Sequence, residues 1–195
     1  TFLESNNSAL MAKPFQYNSS NGVITVGGEV TIESSSCAGG HHLVYDSTND
    51  KFIVTYANTG DNKNIKTKVI TFDGSGNSLS VGSEVELSSV SVGDFNFGTV
   101  FTTSGKTVIA MKDEDNSNYL TTAIFTTSGT GGSFSSTQVA VSQDVDNVSI
   151  GYDDNTNRVG IAFKNGGVTN TVTNFTTASV GASSLTFQSS SPASL

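Results

Sequence analysis

A chain of 195 residues with a net charge of −8 and nine scattered Lys and Arg residues has no cationic stripe to neutralise phosphates, which argues against nucleic acid as a partner. One cysteine excludes a disulfide scaffold, and no stretch approaches the roughly 20 apolar residues of a membrane span, so no membrane insertion is expected. Hydrophobic residues make up 35% of the chain, while Ser, Thr, Asn and Gly make up nearly half, a composition of short strands joined by many turns and not of helices.

Residues 1–36 read as the closing part of a unit, strands three and four, because their pattern returns later. FQYNSSNGVITVGGEVTI (15–32) lies over ITFDGSGNSLSVGSEVEL (70–87) without a gap. Tyr17 falls on Phe72 and Ile24 on Leu79, while Val26, Gly27, Glu29 and Val30 fall on identical residues. Residues 37–92, 93–145 and 146–195 then read as three full units, fixed by HLVYDSTNDKFIVTY (42–56), GTVFTTSGKTVIAM (98–111) and SIGYDDNTNRVGIAF (149–163). Tyr45, Phe101 and Tyr152 correspond, as do Lys51, Lys106 and Arg158, and then Tyr56, Met111 and Phe163.

Each unit predicts four antiparallel strands. Strand one is LVYD (43–46) and its equivalents, and a short polar turn follows it. Strand two is FIVTY (52–56), VIAM (108–111) and VGIAF (159–163). Strand three is IKTKVITF (65–72), YLTTAIF (119–125) and TNTVTNF (169–175). Strand four is EVEL (84–87), QVAV (138–141) and SLTF (184–187). Phe52, Val54 and Tyr56 share one face by period-two alternation, and the other face, Ile53 and Thr55, is partly apolar too, which predicts a sheet stacked between two neighbours. Asp73-Gly74 and Ser104-Gly105 supply residues that tolerate positive φ in tight hairpins, and of the two prolines only Pro14 interrupts a strand. The expected fold is all-β, about three and a half four-stranded antiparallel units, propeller-blade-like or in stacked sheets, without substantial helix. Thr1-Phe2 aligns with Tyr56-Ala57 and SSSPASL (189–195) with SSSCAGG (34–40), so further repeats are expected on both sides.

Candidate chemistry is sparse. His41 and His42 fall in a loop between units, CAGGHH (37–42), as candidate binding residues; adjacent side chains in an extended segment face opposite ways, which hinders joint chelation even with Cys37 nearby. KDEDNSN (112–118) is the densest charge cluster, and Lys112, Asp113 and Asp115 are its candidate binding residues. Acid–base work needs carboxylates held across a pocket, whereas three in a row on a connecting loop predict a solvated turn. DGSGN (73–77) has the alternate oxygens of a calcium loop without its terminal acid, so a hairpin turn is the expectation. Lys51, Lys106 and Arg158 are expected to lay their stems on the sheet, with Asp46 and Asp153 as local partners in two units. Four glycosylation-type sequons, at Asn6, Asn18, Asn147 and Asn174, are what this composition gives by chance. No nucleophile elbow, phosphate loop or cofactor motif is present, and the expectation is a non-enzyme without cofactor or metal.

VYDSTNDKFIVTYAN (44–58) and SIGYDDNTNRVGIAFKN (149–165) resemble repeats of marine bacteriophage structural proteins. In those repeats an aromatic–Asp pair leads into a polar turn, then into a strand ending in an aromatic followed by a basic residue. Lys112 and Lys164 hold that basic place, while Ala57 departs from it. The resemblance implies a β-propeller-like blade on a tail, fibre or capsid appendage. It implies a location on the virion surface or outside the cell, other appendage subunits as partners, a homo-oligomer, and no catalytic residues. A non-catalytic structural or adhesion module, contacting a host surface glycan, is the leading expectation. A bacterial extracellular adhesin or filament subunit is a second, and part of a glycan-processing propeller enzyme a third. Propellers need about four to eight blades, so three and a half units must stack openly or borrow blades.

Overall fold

A computed structural model describes residues 1–3, 9–34, 36–37, 40–74, 78–166, 173–188 and 193–194. The described residues are all-β, with antiparallel pairing throughout, no α-helix and one short 3₁₀ turn, Glu114–Asn116.

In chain order the strands group into four successive layers, which hydrogen bonding joins as a three-stranded, a two-stranded and a thirteen-stranded sheet among the described residues. The first holds β1 (Phe2–Leu3), β2 (Leu10–Ala12), β3 (Phe15–Asn18), β4 (Val23–Val26) and β5 (Val30–Glu33). The second holds β6 (His41–Asp46), β7 (Lys51–Asn58), β8 (Asn64–Asp73), β9 (Ser78–Val81) and the front of β10 (Val85–Phe101). The back of β10 opens the third, with β11 (Thr107–Asp113), β12 (Tyr119–Ser128), β13 (Gly131–Phe134) and the front of β14 (Gln138–Asp153). The back of β14 opens the fourth, with β15 (Arg158–Asn165), β16 (Thr173–Val180), β17 (Leu185–Phe187) and β18 (Ala193–Ser194). β10 and β14 change partners midway: β10 pairs β8 and then β11, β14 pairs β12 and then β15. The resulting hydrogen-bonded path is open, ending at β6 and β17, and does not close into a barrel.

The alternation in strand two is what stacks the layers. Val54 and Tyr56 pack back on Leu10, Ala12, Ile32 and Cys37 of the first layer and its following link. Ile53 faces the other way, with Val69, onto Phe125 of the third layer. On β11, Ile109 and Met111 face Ala57 and Ile65 of the second layer, whereas Ala110 and Leu120 face Ile161 and Phe163 of the fourth. Burial on both faces of a central strand removes apolar surface from water twice over, about 1.5–3 kcal/mol for each large aliphatic side chain.

The predicted strands differ from the observed ones in instructive places. His41 and His42 belong to β6 and not to a loop, because their backbones pair with Tyr56 and Thr55. Strand four is two segments. β4, β9, β13 and β17 close a hairpin on the end of strand three, and β5, β10 and β14 resume further along. One backbone bond marks each break: Gly27 N–H to Pro14 O (3.0 Å), Gly82 to Val69 (2.8 Å), Ser135 to Ile124 (2.8 Å) and Gln188 to Thr177 (3.1 Å). SLTF therefore matches β9, not the EVEL segment, since Leu185 pairs with Val180 at the far end of β16. The described part of β16 begins at Thr173 and runs on to Val180; residues 169–172 of the predicted strand lie outside the described residues, as do 75–77 of the DGSGN turn.

The turns follow the sequence signals only in part. Gly105 takes φ +73°, with Asp50 (53°) and Asn157 (51°) at the same place before Lys51 and Arg158. Gly74 has no positive φ, so it is not the left-handed residue of its hairpin.

Candidate functional site: the polar corner and its ion network

At the link between strands two and three the chain turns through two successive left-handed residues, Asn62 (φ 49°) and Lys63 (59°) in the second layer and Ser117 (56°) and Asn118 (60°) in the third. Each pair aims a carbonyl at the strand entering the next layer: Lys63 O accepts from Val92 N–H at 3.1 Å, Asn118 O from Val145 N–H at 3.0 Å. Between these corners lies a cleft of about 610 Å³ lined by Thr59, Asn62, Lys63, Asn64, Ser91 and Asp115. Ser91 anchors it, donating its hydroxyl to Asn62 O (2.6 Å) and its amide to Asp115 Oδ2 (2.9 Å). Lys63 Nζ lies 3.6 Å from Glu114 Oε2 across the mouth.

The predicted KDEDNSN residues separate here. Asp115 joins the cleft and Glu114 is exposed beside it, but Asp113 is only 4% exposed. It is not a solvated residue, because β11 continues through it and its backbone pairs with Tyr119. Burial raises its pKa, against the pull of the turn amides of Asp115 and Asn116, and its Oδ1 has no hydrogen-bond partner. Lys112 lies on the opposite face of β11 and binds Asp146 Oδ1 of the fourth layer at 2.7 Å. Lys112, Asp113 and Asp115 are thus near in sequence but serve three different contacts.

His41 and His42 also separate. His42 Nε2–H donates to Phe97 O at 3.0 Å and its ring meets the Phe97 ring edge-on, centroids 4.9 Å apart, so it joins the second layer to the third. Burial lowers the pKa of both imidazoles, with the chain's amino terminus and His42 adding to the effect on His41. Cys37 sits among Leu10, Ile32, Val54 and Tyr56, its thiol pushed up to about 12 by burial and then by Glu33. Among the described residues no three His, Cys, Asp or Glu side chains converge as metal ligands.

The basic residues after the first turn stand opposite Asp46 and Asp153 in backbone register, Lys51 and Arg158 respectively, but form no side-chain ion pair with them. Lys51 donates to Thr71 Oγ1 (3.1 Å) and Lys106 to Thr126 Oγ1 (3.0 Å), each reaching across to strand three. Asp46 and Asp153 are taken by their own turns, through the amides of Thr48, Asn49 and Asn155.

Sequence reasoning missed the densest polar network. Lys66 Nζ lies 2.9 Å from Glu84 and 3.0 Å from Asp61, and Lys68 Nζ lies 3.6 Å from Glu84 and 3.7 Å from Glu33. Tyr56 donates to Glu84 Oε2 at 2.6 Å. Burial works against the charges of Lys66 and Glu84, yet the mutual bonds prevail: Lys66 is held above the usual amine value and Glu84 below the usual carboxylate range. The alternation in IKTK, placing Lys66 and Lys68 on one face, was the available signal. This network binds the first layer to the second through Glu33.

No protein family, curated protein or solved structure matches the chain.

Proposed function

We propose that this chain is a non-catalytic structural and adhesion module of a virion appendage. In this reading it comprises about three and a half four-stranded units stacked as an open array, divided at residues 36, 92 and 145, with other appendage subunits as partners. The observation that carries the reading is the packing: central strands are buried on both faces, so each layer contacts its neighbours and the array gains reach by adding layers. Corner turns rich in Asn, Ser and carboxylate recur along the stack, and the cleft at Asn62, Asn64, Ser91 and Asp115 is lined by the polar donors and acceptors that a sugar's hydroxyls would need. A shallow polar cleft gives weak contacts, which repetition on a particle turns into avidity.

Saturation-transfer NMR against host-surface polysaccharide tests the glycan contact. Binding is expected for the wild-type chain and its loss for Asp115→Ala, with the fold retained. Transfer that Asp115→Ala leaves intact would move the contact elsewhere. Absence of the chain from the density of its source particle, by electron microscopy, would end the virion reading itself.

A further inference from the structure

The cleft between the second- and third-layer corners takes one wall from residues 59–64 and the other from Asp115 in the 3₁₀ turn. Ser91 stands between the walls and is bonded to both, through Asn62 O and Asp115 Oδ2. Lys63 is the one cation of the lining and Asp115 the one anion. Lys63 is already engaged, 3.6 Å from Glu114 Oε2.

The second-layer wall runs on into the ion network. Asn64 donates Nδ2 to Glu86 Oε1 at 2.9 Å. Lys66 Nζ serves three carboxylates, Glu84 at 2.9 Å, Asp61 at 3.0 Å and Glu86 at 3.8 Å. With Lys68 and Glu33 included, three lysines meet six carboxylates, an excess of three negative charges among these residues. Charge of one sign beside a cleft concentrates ligands of the other.

The groups left over in the lining are acceptors. Asp115 Oδ2 takes the Ser91 amide at 2.9 Å, and among the described residues Oδ1 has no partner. Asn64, with Nδ2 on Glu86, keeps Oδ1. Asn62 is held through its carbonyl, which leaves its side-chain amide to the cleft. An ammonium has three donors and no acceptor, and matches this set. A calcium ion needs about six to eight oxygens, and among the described residues no three carboxylates converge. An acidic sugar would meet Asp115 with a like charge and would have to take Lys63 from Glu114.

We infer that the cleft takes a cationic sugar, an amino sugar whose amine is not acylated, with the ammonium on Asp115 Oδ1 and the hydroxyls on the amides of Asn62 and Asn64. Its volume of about 610 Å³ admits a short oligosaccharide segment. The bound sugar bridges the two layers, since Asp115 belongs to the third and the two asparagines to the second. The assignment rests on the reading of this cleft as a glycan contact and gives that contact a charge; it does not need the virion reading.

NMR titration of the full chain with three trisaccharides tests this, in buffer just below neutrality where a sugar amine carries its proton. The three are a glucosamine trimer, its fully N-acetylated form and a galacturonate trimer. The glucosamine trimer is expected to shift the amides of residues 59–64, 91 and 115. It is expected to bind about tenfold or more tighter than the acetylated form, as a charge-assisted bond allows, with the preference shrinking as salt is added. Asp115→Asn removes the charge but keeps an oxygen for the Ser91 amide, and is expected to bind the two alike. Equal affinities in the wild type, tighter binding of the galacturonate, or a preference that survives Asp115→Asn would overturn the amino-sugar assignment and leave the cleft a glycan contact of another class. No shift at the cleft with any of the three would overturn the assignment and the glycan reading of the cleft together. The wild-type comparison decides the matter alone if the variant fails to fold.

Discussion

His42 shows how one side chain converts stacking into pH dependence. Its imidazole is held neutral by burial while it donates to Phe97 O in the next layer, so the folded pKa lies below 6.5. A base with a depressed folded pKa leaves stability intact above its unfolded value; stability is lost as pH falls from 6.5 through the folded value. The urea midpoint is therefore expected to fall with pH in that window. His42→Leu is expected to cost about 1 kcal/mol at neutral pH, through the lost bond to Phe97, and to flatten the slope to the part that His41 contributes. An unchanged slope in the variant would assign the titration elsewhere. Glu84 acts in a separate, lower window: its folded pKa is depressed, so its contribution is complete above 4.5 and disappears as pH falls through the folded value. Asp113 has the opposite sign, because its raised pKa makes ionisation work against the fold.

At the scale of the element, glycine at the break in strand four sets how closely layers approach. A Cβ on Gly82 would collide with the carbonyl oxygen of Thr130, in the β12–β13 turn of the next layer, a backbone atom that cannot rotate away. Gly82→Ala is expected to destabilise by about 1–3 kcal/mol, as overpacking does, read from chemical denaturation. Much of this level is legible in the sequence. The 15–32 and 70–87 match places β4 on β9 and the start of β5 on the start of β10, and period two in FIVTY reports both buried faces. The division of strand four is not legible, because EVEL, QVAV and SLTF have the same pattern and only pairing separates them. The corner turns are legible in part: Asn62 and Asn118 favour positive φ, whereas nothing in the residue type announces it at Lys63 and Ser117. Of the candidate site residues, Asp115 reaches the cleft as a turn residue should, while Asp113 is buried because β11 extends two residues past Met111, the last apolar side chain the pattern could count.

The whole molecule is a series of layers coupled to their neighbours. Phe163, fully buried between the third and fourth layers, joins Leu120, Val145 and Ile161. Phe163→Ala is expected to cost about 3–5 kcal/mol. The loss should appear in hydrogen exchange of β15, β16 and the adjoining β11–β12 pair, and leave β6–β8 close to the wild-type rate, as nearest-neighbour coupling requires. Uniform acceleration across all layers would instead mean a single cooperative block. At this scale the sequence reports stacking through two-faced strands, while the exchange of partners midway along β10 and β14 emerges only from the pairing.

Cys37 is the single thiol in the chain, and it is enclosed where the first and second layers meet, beside Tyr56 and Ile32. With its proton held up to about 12, it is inert while those layers remain in contact. A thiol-specific dye can therefore reach it only when the seam parts. The labelling half-time becomes a clock for one particular breathing motion, readable in the unmodified protein without a second sulfhydryl to confuse the count.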